Sequence, residues 1–197
     1  MEVGNPPVEF NFTGSVALVI SGPNRVVADT GGPIDGDEIV AKLAENGVLP
    51  EDVTHVFLSH DHVDHVGNVN RFVNAEIIGG SMTIIGRSYA LLPIVQGRQM
   101  FINDDDNLEV IMTPGHANGP TDKTLIVRNV PEFGVVAIVV DLFLNGEDVK
   151  TSTDRMTPQS LVDSQRRVAC NNDIRFVLPG HGPMFEVTEE FRRPYRC

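Results

Sequence analysis

Between Leu58 and Gly67 the chain reads Leu58-Ser-His-Asp-His-Val-Asp-His-Val-Gly67. Four potential metal ligands, His60, His62, Asp64 and His65, fall within these ten residues, directly after the apolar run Val53–Leu58. Such a run, stopping at a turn, predicts a buried strand whose exit tips imidazoles and a carboxylate into one cavity. Side chains at i and i+2 of an extended segment point the same way, so His60 and His62 can grip one ion. Once the chain turns, Asp64 and His65 can face a second ion beside it. Nitrogen and oxygen donors without a thiolate suit zinc, iron, manganese or nickel. The competing reading is a solvated loop that happens to be rich in His and Asp, since a short motif by itself is only a hypothesis.

The rest of the chain reads as short strands with few helices. Val8–Phe12, Ser15–Ile20 and Arg25–Asp29 form three expected strands, parted by Gly14 and by Gly22-Pro23-Asn24. Asp29 closes the third, before Thr30-Gly31-Gly32-Pro33, as turn chemistry or as support for a metal ligand. An amphipathic helix is expected over Gly36–Asn46, with Gly47 as its stop. Thr54–Leu58 is the strand that feeds the histidine loop, and His55 on it reads as a packed or surface residue. Asn68–Phe72 suggests a short helix and Ala75–Ile78 a strand. Residues 79–107 give no clear pattern: Tyr89–Pro93 reads as packing under a loop or as a pocket wall, and Asp104–Asn107 as a hairpin turn. Further strands are expected over Leu108–Thr113, Leu125–Asn129, Gly134–Val140 and Phe176–Leu178. Thr157-Pro158 opens a helix that runs to about Asn171, with Thr157 as its cap.

Twice an apolar strand stops at Pro-Gly-His, at His116 and at His181. The chain has six histidines, and all but His55 sit at strand exits or on the central loop. Grouped by chemistry, His60, His62 and His116 can supply three nitrogens to one ion. Asp64, His65 and His181 can hold a second, with Asp141, at the end of its own strand, bridging the two. Three protein ligands per ion leave a position for water, as in catalytic rather than structural sites. Two ions about 3.5–4 Å apart can share a hydroxide and clamp both the attacked and the leaving oxygen. Asp64 is the candidate to orient that hydroxide and take its proton.

Composition sets the outer bounds. At 197 residues one domain with a substantial core is expected. A formal charge of −12 argues against indiscriminate nucleic-acid binding, which relies on basic surface. Arg166-Arg167 and Arg192-Arg193 read as solvated faces. No stretch approaches a membrane span, and no secretion signal or DNA-binding motif is apparent. Cys170 and Cys197, the only two cysteines, are not expected to form a disulfide framework, which places the protein inside the cell. The expected compartment is the cytoplasm, with the nucleus second.

Taken in order, Asp29-Thr-Gly, His60-x-His62-x-Asp64-His65, His116, Asp141 and His181 resemble the signatures of the metallo-β-lactamase superfamily over nearly the whole chain. The resemblance implies an α+β fold, the αββα sandwich of two mixed β-sheets flanked by helices, formed by residues 1–197 as a single domain. It implies the ligand grouping above, two divalent ions (zinc first, iron or manganese as alternatives), and a supporting place for Asp29 behind the ligands. One departure is Val140, where the family carries glycine before the bridging aspartate.

Finer motifs, Asp64-His-Val-Gly-Asn68 and Leu178-Pro-Gly-His-Gly-Pro183 among them, are similar to an RNA-cleaving subgroup linked to histone pre-mRNA processing. The first expectation is therefore a binuclear metal-dependent hydrolase acting through a metal-bound hydroxide, with endoribonuclease activity implied by that similarity. The alternative is thioester or small-ester hydrolysis of the glyoxalase-II type. A reading of another class is a mononuclear-iron persulfide dioxygenase or a metal-binding regulator without turnover. The partners entertained are RNA or a small ester or thioester as substrate, and a second copy in a homodimer.

Overall fold

Apolar strands filled on both faces demand a layer on each side of a sheet, and the chain supplies two sheets face to face between helices. The computed structural model describes residues 13–117, 120–148 and 157–197. The strand expected over Val8–Phe12 lies outside them. The first sheet holds β1 (Ala17–Ser21), β2 (Asn24–Ala28), β3 (His55–Phe57), β4 (Glu76–Gly79), β5 (Met82–Ile85) and β6 (Ser88–Leu91), in that spatial order. β2, β3 and β4 run parallel, and the flanking pairs are antiparallel. The second sheet holds β7 (Met100–Phe101), β8 (Leu108–Met112), β9 (Lys123–Val130), β10 (Gly134–Val140), β11 (Phe176–Pro179) and β12 (Phe185–Glu186). Within it only β10 and β11 pair in parallel.

Alternation along each strand decides which layer a side chain joins. In β10, Ile138 and Val140 point between the sheets, where they meet Val26, Phe57, Ile78, Leu108 and Leu125. Ala137 and Val139 point outward and pack with Leu161, Val168 and Ala169 of α3 (Gln159–Ala169) and with Phe191 of α4 (Glu189–Arg192). On the far side, Val27 and Val56 meet Ile39 and Leu43 of α1 (Gly36–Glu45). Burying Ile39 and Leu43, both under a tenth exposed, contributes about 1.5–3 kcal/mol each before entropy is counted. The order of layers is helix, sheet, sheet, helix: the expected αββα sandwich.

Helix α1 behaves as its sequence suggests. Asp37 and Glu38 lie in its first turn and Lys42 in its last, which suits the helix dipole. Gly47 follows it at φ +70°, a left-handed stop that a glycine adopts without strain. The other local expectations shift. Asn68–Phe72 makes one 3-10 turn, Val69–Arg71, rather than a helix. Pro158, not Thr157, occupies the N-cap of α3, whose first helical residue is Gln159; Pro158 stays extended, with ψ 138°. The region without a clear pattern, residues 79–107, becomes β5, β6, a 3-10 turn over Pro93–Gln96 and β7. Tyr89 and Leu91 on β6 are exposed while Leu92 is fully buried, so that stretch is an edge strand anchored by one residue. Asp104–Asn107 does join two antiparallel strands, β7 and β8.

The cysteines correct an expectation. Cys170 and Cys197 are joined in a disulfide with Cα atoms 5.2 Å apart, because Phe191 and Tyr195 pack into the α3 cluster and bring the last residues back to the end of α3. The cysteine count therefore lends no support to an intracellular location. No helix among the described residues is long and apolar enough to cross a membrane.

Candidate metal centre

β3 ends at Phe57, and the chain passes through Ser59–His62 into α2 (Val63–Val66). β8 runs out at Pro114-Gly115-His116, β10 at Asp141, and β11 at Gly180-His181. These exits lie along one rim of the sandwich, and seven side chains from them converge in two groups. His60, His62, His116 and Asp141 offer ligand atoms that all lie within 4.8 Å of one another, and so do Asp64, His65 and His181.

Asp141 stands between the groups. Its Oδ2 is 3.1 Å from His116 Nε2 and 3.7 Å from His60 Nε2, while its Oδ1 is 3.3 Å from His65 Nε2 and 3.2 Å from His181 Nε2. Across the first group His116 Nε2 lies 3.1 Å from His62 Nδ1. Across the second, Asp64 Oδ2 is 3.3 Å from His65 Nε2 and 3.6 Å from His181 Nε2. His55 stays apart, half-buried against Thr54 Oγ1 at 2.9 Å.

The imidazoles are oriented from behind. Asp29 is fully buried. Its Oδ1 accepts from Ser59 N at 2.8 Å, and its Oδ2 accepts from Ser59 Oγ at 2.8 Å and from His65 Nδ1 at 2.9 Å. Ser59 has given its one hydroxyl proton to Asp29, so it accepts from His60 Nδ1 at 2.9 Å. His181 Nδ1 donates to the Thr13 carbonyl at 3.2 Å. The Nδ1 contacts of His60, His65 and His181 thus turn the Nε2 of each ring toward the centre.

That arrangement fits a cation. His60 Nε2, His65 Nε2 and Asp141 Oδ1 are buried with no hydrogen bond, an expensive state for polar atoms unless something else engages them. The same surroundings shift the ionisation of these side chains. Burial, then the neighbouring His65 charge, lowers the His60 pKa to about 3. Burial also opposes a charged His65, but the Asp141 and Asp29 carboxylates override it and push its pKa up to about 10. Burial alone would raise the Asp141 carboxyl, yet the His116 and His65 rings that face it hold it well below the usual carboxylate range.

Backbone conformation explains two neighbours of Asp141. Val140 adopts φ +45°, a left-handed region that L residues, β-branched ones above all, enter at a cost of about 1–2 kcal/mol. The glycine of the family's pattern avoids that cost; this chain carries valine there, 1% exposed in the inter-sheet layer. A Cβ on Gly180 would overlap Asp141 Oδ1, so only glycine leaves room for the carboxylate. Sequence reasoning did not single out Thr13, Gly14, Ser59, Gly180, Asp122 or Lys123. Gly14 lies under His65, whose Cε1 would be 2.9 Å from an added Cβ. The repeated Pro-Gly-His motif could have flagged Gly180.

The fold and this rim of histidines and carboxylates define the chain's class: it belongs to the metallo-beta-lactamase superfamily, whose family model matches residues 11–181. Within that class it is similar to metallo-beta-lactamase domain-containing protein 1 of Xenopus laevis, 36% identical over 179 residues that cover 90% of this chain and 74% of the frog protein. The Homo sapiens protein of the same name is 33% identical over 180 residues, 90% of this chain and 65% of the human one. Among solved structures, a metallo-beta-lactamase candidate from Thermotoga maritima superposes with a TM-score of 0.66 at 18% identity, covering 92% of this chain and 93% of that one. At that identity the likeness speaks for the fold alone.

Proposed function

We propose that the chain is a binuclear metal-dependent hydrolase, with zinc as the ion. The observation that carries this reading is Asp141, whose Oδ2 lies nearest His116 and whose Oδ1 faces His65 and His181, with His181 Nε2 also 3.4 Å from Oδ2. His60, His62 and His116 would hold one ion and Asp64, His65 and His181 the other, with Asp141 common to both. Divalent ions held there would supply Lewis acidity and make water acidic enough to ionise at neutral pH. The chain's own residues do the rest. Asp29 and Ser59 keep the Nε2 lone pairs of His65 and His60 aimed at the centre. Asp64, whose side chain is 30% exposed, would orient an attacking water and accept its proton.

For the substrate, the motif similarity supports RNA phosphodiester cleavage of the histone pre-mRNA type. Thioester or small-ester hydrolysis is the second reading, favoured by the formal charge of −12, which repels a polyanion. The test is cleavage of labelled single-stranded RNA by zinc-loaded protein beside identically purified Asp64→Ala. Cleavage by the wild type alone supports the nuclease reading. No cleavage by either, with turnover of a thioester panel, transfers the function to esters. Metal analysis runs alongside: near two zinc per chain supports the hydrolase, whereas a single iron supports oxidation chemistry.

A further inference from the structure

β9 begins beside the candidate centre, and its approach carries two buried charged residues that contribute no ligand atom to either group. Asp122 is 6% exposed and Lys123 1%. Asp122 Oδ2 accepts from three consecutive amides of the His116 loop: Gly115 N at 3.1 Å, His116 N at 2.9 Å and Ala117 N at 3.0 Å. Its backbone carbonyl accepts from Thr113 N at 2.8 Å, and Lys123 N donates to Ser59 O at 2.9 Å. The Lys123 ammonium donates to the carbonyls of Gly80 at 3.0 Å and Thr121 at 2.7 Å. The other oxygen of Asp122, Oδ1, is buried with no hydrogen bond. Asp122 lines a cavity of about 10 Å³ together with His60, His116 and Asp141.

Two adjacent residues thus grip both loops that deliver histidines to the first group. One grip is a carboxylate that gathers the amides around His116; the other is an amide bonded to the residue before His60. Among the described residues the histidines of the second group are held directly by Asp29 and by the Thr13 carbonyl, and reach β9 only through Ser59. Helix α3 closes the His116 turn from the other side, where Ser164 Oγ donates to Pro114 O at 2.8 Å. A carboxylate that accepts three backbone N–H groups is a strong anchor, and its removal would leave three donors of one loop without their acceptor.

We infer that Asp122 is a positioning residue for the first metal position: it sets the His116 loop against the His60 loop and leaves the second position untouched. The inference rests on the metal reading above. Residues that orient ligands without touching the ion change affinity by about 10–100-fold, which sets the expected size of the effect.

The experiment is zinc titration of the metal-free full chain against a chromophoric chelator, in wild type, Asp122→Ala, Asp122→Asn, His116→Ala and His181→Ala. Asp122→Ala should weaken one binding step by about 10–100-fold and reproduce the profile of His116→Ala, not that of His181→Ala. Asp122→Asn keeps an acceptor oxygen for the three amides and should recover most of the loss. If Asp122→Ala does not fold, Asp122→Ser, whose hydroxyl cannot reach all three amides, carries the same expectation. Wild-type affinity at both steps, or equal loss at both, overturns the inference and leaves the metal reading standing. A wild-type chain that takes up no zinc overturns both.

Discussion

Gly180 lies so close to Asp141 that the smallest side chain would displace the carboxylate oxygen facing His65 and His181. The glycine is held in place by its amide, which donates to Phe143 O at 2.9 Å, on the loop that follows Asp141. Asp141 and Gly180 are therefore one unit, although thirty-nine positions separate them in the chain.

Gly180→Ala tests that unit. The added methyl has to push Asp141 out of both groups at once, so both zinc-binding steps should weaken by about tenfold or more. Chelator competition measures this directly. Unchanged affinity at both steps would show that Asp141 is not the common ligand.

Val140 supplies a backbone test. Val140→Gly loses a buried side chain but relieves a left-handed φ, whereas Val139→Gly only loses a buried side chain. The Val140 variant should therefore be less destabilised than the Val139 variant by about 1–2 kcal/mol, read from urea unfolding of the metal-free chains. Equal losses would argue against strain at Val140.

Lys123 gives a pH dependence. Burial lowers its pKa to about 8 from an unfolded value near 10.5, with Asp122, Asp29 and Asp61 opposing. Below pH 8 both states hold the proton and the folded state bears the whole cost of burying it. Between pH 8 and 10.5 the folded protein releases the proton while the unfolded chain keeps it, so stability rises with pH. Relative to Lys123→Met, the wild type should gain on the order of 3 kcal/mol across that window. A stability difference that stays flat from pH 7.5 to 10.5 would count against a lowered Lys123 pKa.

The Cys170–Cys197 bridge closes a loop with a sequence separation of 27. A cross-link over that length stabilises by about 3.5 kcal/mol through the unfolded chain. Cys197→Ser, or reduction of the wild type, should lower unfolding stability by that amount. Tyr195 would be the first contact to loosen, since its hydroxyl donates to Gln165 Oε1 at 3.1 Å from the segment the bridge holds down. Identical urea midpoints with and without reductant would contradict this.

The sequence displayed its ligand candidates openly because a metal group needs particular side chains at strand exits, and strand exits are marked by where apolar runs stop. β10 illustrates this: Gly134–Val140 ends on Asp141 in both readings. What supports those side chains was much less visible. Asp122 collects amides from five to seven residues upstream, where the sequence carries no periodic pattern. Ser59 acts through a hydroxyl whose partner, Asp29, lies thirty residues away. The disulfide was missed because pairing depends on Phe191 and Tyr195 folding back onto α3, a tertiary event that cysteine counting does not capture. Residues 79–107 were illegible for another reason: β5 and β6 are four residues each and mostly exposed or half-buried, so alternation has nothing to report.

His60, His62, Asp64 and His65 ride on the first sheet, and His116, Asp141 and His181 on the second. The candidate centre therefore straddles the seam of the sandwich, and any sliding of one sheet over the other is read out as a change in the spacing of these seven side chains. Two cavities of equal thermodynamic cost are then unequal in effect. A void opened at Ile138, between the sheets, would be transmitted to the rim as misalignment. One opened at Leu43, beneath α1, would leave the two halves in register.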